Sequence, residues 1–259
     1  MTDTIKVAVI GAGMMGKNHL KTYKGLNGVE LVGVYDIFPE ACKAAAETFG
    51  IKAFSSLEEV AENVDAVSVV TTSVTHAEVG EFFLNRGIHC LMEKPLATTE
   101  AECQRLISAA KNNNVTLLVG HIEQFNPAVE QMHKILSDTS KICSLTAQRM
   151  SAASGRITDV DVSMDLMIHD VEVIQSLVKS PVVNVQASAV KTPSSPKGKE
   201  LPPTSPPAVS LRRGSERSPL PPIPTISIWT SLTKASTFTL RDVCPMLTRK
   251  KFPSGCITA

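Results

Sequence analysis

The chain has 259 residues, 43 % of them hydrophobic and 20 % charged, with a formal net charge of +1. That composition suits one or two soluble domains, and no segment is long and apolar enough to span a membrane. Six cysteines (Cys42, Cys90, Cys103, Cys143, Cys244, Cys256) lack C-x-x-C spacing, so neither a zinc site nor a disulfide framework is indicated; with no charged-then-apolar leader, a reducing cytoplasm is the simple expectation.

Residues 6–10 form a short apolar run rich in β-branched side chains, which predicts a buried parallel strand. The run feeds into Gly11-Ala12-Gly13-Met14-Met15-Gly16, and residues 17–26 then carry apolar side chains at helical spacing. Strand, G-x-G-x-x-G and helix together point to dinucleotide binding. Gly11 permits the tight turn, Gly13 lets the backbone approach a pyrophosphate, and Gly16 lets helix and strand pack closely. The helix N-terminus offers N–H groups and partial positive charge to the phosphates. Gly11, Gly13, Met14, Met15 and Gly16 are the expected cofactor positions. A second strand, 29–35, ends at Asp36, twenty residues past Gly16, where an acid bonds the ribose hydroxyls and repels a 2′-phosphate. This favours NAD over NADP; the plainer reading of Asp36 is a strand-end turn residue.

The alternation continues with a helix at 39–49 that starts on Pro39, a strand at 51–54, and a capping-box start at Ser56-Leu57-Glu58-Glu59. A strand at 66–70, a helix from Thr75 to near Gly87, a strand at 88–92, a helix at 99–111 and a strand at 115–119 follow. The class is α/β, with a doubly wound parallel sheet of Rossmann type over residues 1–122. Glu93-Lys94-Pro95 closes the strand at 88–92. A lysine there sits at the crevice where such sheets bind ligands, and Pro95 fixes the turn that holds it. Taken alone, a surface lysine before a proline is the commoner case.

Residues 162–178 are apolar-rich and helix-like. Asp165 and His169 are four apart and share one helix face. A carboxylate one turn from an imidazole fixes its tautomer and raises its basicity. Such a histidine can take a hydroxyl proton while hydride leaves the same carbon, and a nearby ammonium favours the developing alkoxide. Lys94, Asp165 and His169 thus supply what a metal-free alcohol dehydrogenation needs. The competing reading is a helix cap with a solvated histidine.

These motifs stand in the order and spacing of the glucose–fructose oxidoreductase, inositol dehydrogenase and rhizopine-catabolism family, which the chain resembles over roughly residues 4–192. Gly120-His121-Ile122-Glu123-Gln124-Phe125-Asn126-Pro127-Ala128 and Met164-Asp165-Leu166-Met167-Ile168-His169-Asp170 look like the branch of UDP-N-acetylglucosamine 3-dehydrogenases. The resemblance implies that Lys94 orients a sugar hydroxyl and assists its deprotonation, that His169 is the acid/base, and that Asp165 supports it. It also implies that Thr71, Thr72 and His76 line the nicotinamide and that Glu93 reaches the cofactor ribose. His121, Asn126, Arg149 and Arg156 join Lys94 and His169 as substrate-binding residues. A sugar or nucleotide-sugar substrate follows, with a homo-oligomer expected for the intact family. Two departures stand out: Gln124 where that branch should carry arginine, and Ser151-Ala152-Ala153-Ser154 in place of a glycine- and proline-containing stretch.

The resemblance fades near Lys191-Thr192. Residues 123–192 therefore read as the start of an incomplete α+β substrate domain, and 193–259 as a separate tail. The tail holds 12 of the 16 prolines, including Pro202-Pro203, Pro206-Pro207 and Pro221-Pro222. It carries 10 Lys+Arg against 3 Asp+Glu, a net of +7, against 16 and 22, a net of −6, for residues 1–192. Proline pairs do not fit central strands, so the tail is expected to be irregular. It lacks the interleaved aromatics of a nucleic-acid binder. One reading is a non-catalytic nucleotide-binding protein with a proline-rich interaction tail; another is a reading-frame shift near residue 192. Without a covering sheet, Leu166, Val173, Ile174 and Leu177 are expected to lie partly exposed, at about 1.5–3 kcal/mol each.

Overall fold

A computed structural model describes residues 4–136, 145–150, 163–178, 182–187, 208–213, 225–231 and 235–239. The chain divides into two units, Met1–His121 and Ile122–Ala259.

In the first unit the elements are β1 (Ile5–Ile10), α1 (Met14–Lys24), β2 (Val29–Tyr35), α2 (Pro39–Phe49), β3 (Lys52–Ala53) and α3 (Leu57–Ala61). After them come β4 (Ala66–Val69), α4 (His76–Leu84), β5 (His89–Met92), α5 (Glu100–Asn112) and β6 (Leu117–Val119). Every strand pair is parallel, and the order β3-β2-β1-β4-β5-β6 is that of a doubly wound dinucleotide fold.

Successive residues of β1 face opposite layers. Ala8 and Ile10 join the cluster built on Phe83, Leu84, Met92 and Leu106, which α4 and α5 cover. Val9 joins Leu20, Val34, Cys42, Ala45 and Ala46, beneath α1 and α2. Burial on both faces is why these strands read as continuous apolar runs.

The register matters most for function. Ile10 pairs with Tyr35 and Val69, Val69 with Met92, and Met92 with Val119. The carboxyl ends of β2, β1, β4, β5 and β6 thus lie in one row. The residues that follow them are Asp36, Gly11, Val70, Glu93 and Gly120.

Local chemistry explains the element boundaries. Gly13 is the N-cap of α1, so the helix starts at Met14 and not at residue 17. Gly50 ends α2 at φ 66°, the left-handed conformation glycine tolerates. Thr99 and Glu102 make a complete capping box on α5. At α3 only half of the expected box forms: Ser56 accepts from the Glu59 amide, but the Glu59 carboxylate accepts from Ser55 instead.

The second unit holds a 3₁₀ turn (Ile122–Phe125), α6 (Pro127–Ile135), β7 (Leu145–Met150) and a π-helical turn (Ser163–Met167) that runs into α7 (Ile168–Leu177). β8 (Val182–Ala187), β9 (Ala208–Arg213), β10 (Thr225–Ser231) and β11 (Ala235–Thr239) follow. The sheet order is β11-β7-β10-β9-β8, with β10 parallel to β7 and the other pairs antiparallel.

Two expectations are corrected here. The tail is not irregular throughout, because β9, β10 and β11 fall in its proline-free stretches. Nor does α7 lie bare: Val173, Ile174 and Leu177 are each 1 % exposed, packed with Val129, Leu136, Leu145 and Ala147. β7 and α6 supply the cover that the sequence reading sought only in the tail. Leu166 is half-buried.

Candidate functional site

Three glycines shape the loop after β1, each for a different reason. Gly11 has φ +108°, and a Cβ there would lie 2.4 Å from the Val70 carbonyl oxygen. A Cβ on Gly16 would lie 1.9 Å from the Gly11 carbonyl oxygen, so only glycine lets α1 pack on the loop. A Cβ on Gly13 would meet nothing within 4 Å. The protein itself does not need a glycine there; an approaching ligand does. No side chain caps α1 at this point and its first turn carries no acid. Gly13, Met14 and Met15 are exposed. An open cradle at a helix N-terminus fits a pyrophosphate.

Asp36 is half-buried and already engaged. Its Oδ2 accepts from the Ala12 amide at 2.6 Å and its Oδ1 from the Phe38 amide at 2.9 Å. It therefore ties the end of β2 to the glycine loop, while further lone pairs on the same oxygens stay available to hydroxyls.

Thr71 and Thr72 follow β4; Thr71 is half-buried and Thr72 exposed, and the Thr75 hydroxyl donates to Thr71 Oγ1 at 2.8 Å. His76 is held inside this loop. It is 1 % exposed, with Nδ1 2.8 Å from the Pro95 carbonyl oxygen and Nε2 3.2 Å from that of Thr71. Buried between two carbonyls, it braces the loop and presents no ring face to a cofactor.

Glu93 is 8 % exposed. Its Oε1 lies 2.9 Å from His19 Nε2, and its Oε2 accepts from the Lys94 amide at 3.2 Å. His19 Nδ1 lies 3.2 Å from Ser68 Oγ, which lies 2.6 Å from the Tyr23 hydroxyl. Burial works against the charged form of Glu93, but the His19 bond and charge, with the Lys94 amide and ammonium, outweigh it and hold the carboxyl below its ordinary value. A Cβ on Gly120 would lie 3.1 Å from Glu93 Oε1, so Gly120 leaves room for this carboxylate. Lys94 itself is half-buried, and the Lys94–Pro95 bond is cis. His19, Ser68, Tyr23 and Gly120 were missed in the sequence. His19 follows Gly16 by three residues, but nothing local announces a partner 74 residues away.

His121, which ends the first unit, is half-buried, and its Nδ1 is a buried atom without a hydrogen-bond partner.

In the second unit, Asn126 has a structural role of its own. It is the N-cap of α6, its Oδ1 accepting from the Ala128 amide at 3.0 Å and its Nδ2 donating to Glu123 at 3.1 Å. Gln124 donates to Glu172 Oε1, while Glu172 Oε2 is buried without a partner. Asp165 lies in the π-helical turn and His169 in the first turn of α7, both half-buried. A π turn inside a helix is a frequent mark of a functional site. Arg149 lies in β7, opposite Thr230 and Ser236. Arg156 lies outside the described residues.

The fold and loop geometry now meet the comparisons with known proteins. Residues 5–121 match the model of the glucose–fructose oxidoreductase, inositol dehydrogenase and rhizopine-catabolism family, described as "Oxidoreductase family, NAD-binding Rossmann fold". It is the first unit that resembles this oxidoreductase family. A UDP-N-acetylglucosamine 3-dehydrogenase of Acidithiobacillus ferrooxidans is 34 % identical over 186 residues, 72 % of this chain and 58 % of its own length. Its solved structure aligns with TM-score 0.76 and 28 % identity, covering 90 % of this chain and 72 % of that one. An inositol 2-dehydrogenase of Rhizobium meliloti is 27 % identical over 195 residues, again 72 % of this chain and 58 % of the relative. The chain thus spans under two thirds of the length of these curated relatives. A myo-inositol dehydrogenase of Lactobacillus casei, solved with NAD(H) and myo-inositol, shares the fold at TM-score 0.76 and 22 % identity, covering 91 % of this chain and 70 % of that one. Within this family NAD is the cofactor of the Rossmann unit, as Asp36 and the glycine loop predict.

Proposed function

We propose that this chain is an NAD-dependent dehydrogenase of a sugar or nucleotide-sugar hydroxyl, with C3 of UDP-N-acetylglucosamine or its uronate as the leading candidate. The observation that carries the reading is the row of strand ends. It sets the open Gly13 cradle, Asp36, Glu93 and Lys94 along one edge of one sheet. The likeness to a 3-dehydrogenase of UDP-N-acetylglucosamine supports the substrate class.

NAD, when bound, supplies the hydride acceptor. The first turn of α1 and the Gly13 backbone hold its pyrophosphate, and Asp36 receives its ribose hydroxyls while excluding a 2′-phosphate. Ile37 and Phe38, 73 % and 66 % exposed just after Asp36, add apolar surface on that side. Lys94 donates to the sugar hydroxyl oxygen and favours the alkoxide. His169 takes the hydroxyl proton, and Asp165 fixes its ring. With that proton on His169, breaking the C–H bond and passing its hydrogen and electron pair to the hydride acceptor would leave a ketone.

Cofactor binding rests on the first unit alone, whereas turnover needs both units. We therefore expect the chain to bind NAD better than it turns over. Calorimetric titration with NAD, then NADH formation from UDP-N-acetylglucosamine, its uronate and free sugars, tests the reading. Lys94→Ala should abolish turnover and leave NAD affinity intact. NAD binding with no NADH from any of these compounds would remove the dehydrogenase reading and leave a nucleotide-binding protein.

The change of composition at residue 193 keeps a second proposal open, a reading-frame shift near residue 192. The nucleotide sequence of the gene decides it: stop codons in the shifted frame across 193–259 would end it.

A further inference from the structure

We propose that His19 and His76 are positioning residues that grip the Glu93-Lys94-Pro95 turn from its two ends and so fix where Lys94 stands. The importance of Lys94 rests on the reading above; the grip itself rests on geometry within the first unit.

At one end the held group is the Glu93 carboxylate. A carboxylate only accepts, so the 2.9 Å contact places a proton on His19 Nε2. On the other side of the ring Nδ1 lies 3.2 Å from Ser68 Oγ. Ser68 Oγ in turn lies 2.6 Å from the Tyr23 hydroxyl. Burial holds the Tyr23 phenol above its ordinary value, which keeps it a donor. The contacts run Tyr23–Ser68–His19–Glu93 and link α1, β4 and the end of β5. Ser68 is 0 % exposed, so water does not compete for it. The second Glu93 oxygen accepts from the Lys94 amide, which carries the constraint into the lysine's own backbone.

At the other end the held group is the Pro95 carbonyl. Proline has no N–H, so this oxygen is its only backbone polar group. His76 Nδ1 meets it at 2.8 Å from a fully buried position. The Thr71 carbonyl on the other side of the ring is also an acceptor, at 3.2 Å. Both ring nitrogens thus lie within hydrogen-bond distance of a carbonyl oxygen, the Pro95 contact being the shorter. The ring thereby spans the ends of β4 and β5. Lys94 thus has its backbone tied on both sides to buried groups. Every ring nitrogen of the two histidines already has a protein oxygen within 3.2 Å, which separates this role from direct catalysis.

The test uses the full 259-residue chain with its lysines reductively methylated with carbon-13 and followed by NMR. The Lys94 methyl resonance is assigned by its loss in Lys94→Arg. In the unaltered chain it should stand apart from the envelope of solvated lysines. His19→Ala and His76→Ala should move it into that envelope, with the other lysine resonances unchanged. His19→Gln and His76→Asn return an N–H near the lost ring nitrogen and should keep it in place. A Lys94 resonance unmoved by both alanine changes overturns the proposal. So does one that the conservative changes displace as far as alanine does. Should an alanine variant fail to fold, its conservative partner decides by the same resonance. Where the unaltered chain forms NADH, the alanine variants should lower kcat about tenfold or more, with sugar KM within about threefold. No NADH from the unaltered chain would sink the dehydrogenase reading, and the resonance would still report on the grip.

Discussion

Asp36 Oδ2 accepts the Ala12 amide at 2.6 Å, so the acid expected to recognise ribose also fastens the loop that receives the pyrophosphate. On the proposed reading, cofactor recognition and loop order would be one event. Asp36→Ala leaves the amide of Ala12, a residue only 3 % exposed, without its acceptor. The expected loss is about 1–3 kcal/mol of stability together with weaker NAD binding. Asp36→Asn keeps an acceptor oxygen and should lose less on both counts. Denaturant unfolding and NAD calorimetry on the two variants check this.

Gly13 and Gly16 should separate binding from folding. The space around Gly13 is open, so Gly13→Ala should change stability by no more than about 0.5 kcal/mol while weakening NAD roughly tenfold, about 1.4 kcal/mol. Gly16→Ala drives a Cβ into the Gly11 carbonyl and should destabilise by about 1–3 kcal/mol even without cofactor. Melting curves with and without NAD distinguish the pair.

Glu93 predicts an acid-side dependence of stability. Burial opposes its charge, but His19 and Lys94 prevail and hold the folded carboxyl below its ordinary 4.5. A group lowered on folding contributes stability that is present above the unfolded value and is lost as pH falls through the folded one. Stability should therefore decline below about pH 4.5, and Glu93→Gln should flatten that part of the curve. A Glu93→Gln profile that matches the unaltered chain would contradict the assignment.

Glu172 has one oxygen bonded to Gln124 and one buried without a partner. A guanidinium at 124 can serve both oxygens in parallel. Gln124→Arg should raise stability by about 1 kcal/mol, whereas Gln124→Ala should lower it. Equilibrium unfolding of both variants is the measurement.

Burial pushes the Cys90 thiol up to about 12 and raises that of Cys42 as well. Neither should form an alkyl adduct in the native chain at mildly alkaline pH. Peptide mapping after alkylation with and without denaturant reads this directly.

The parts of the fold legible in the sequence are those set by neighbours along the chain. β2 and α2 fall at 29–35 and 39–49 as expected, since a β-branched run, Pro39 and Gly50 mark their ends locally. Gly11 and Gly16 fill their expected roles because their constraints lie within one βα turn. Long-range relationships were hidden. His76 reads as a loop residue near the cofactor until Pro95, 19 residues on, turns its carbonyl to the ring. The N-cap role of Asn126 was legible too, since it stands directly before Pro127. In the tail, composition averaged over many residues obscured two proline-free stretches that hold three strands.

The row of strand ends also sets where this chain tolerates changes of length. Deleting one residue inside β5 would turn Glu93 to the opposite side of the sheet and break its bond to His19. Adding residues where a strand begins, as in the turns before β2 or β5, would leave the row untouched. Insertions and deletions that preserve binding should therefore gather at the amino-terminal edge of the sheet, with the opposite edge fixed in length. A library of single-codon insertions, sorted on retention of NAD binding, would display that asymmetry as a map along the gene.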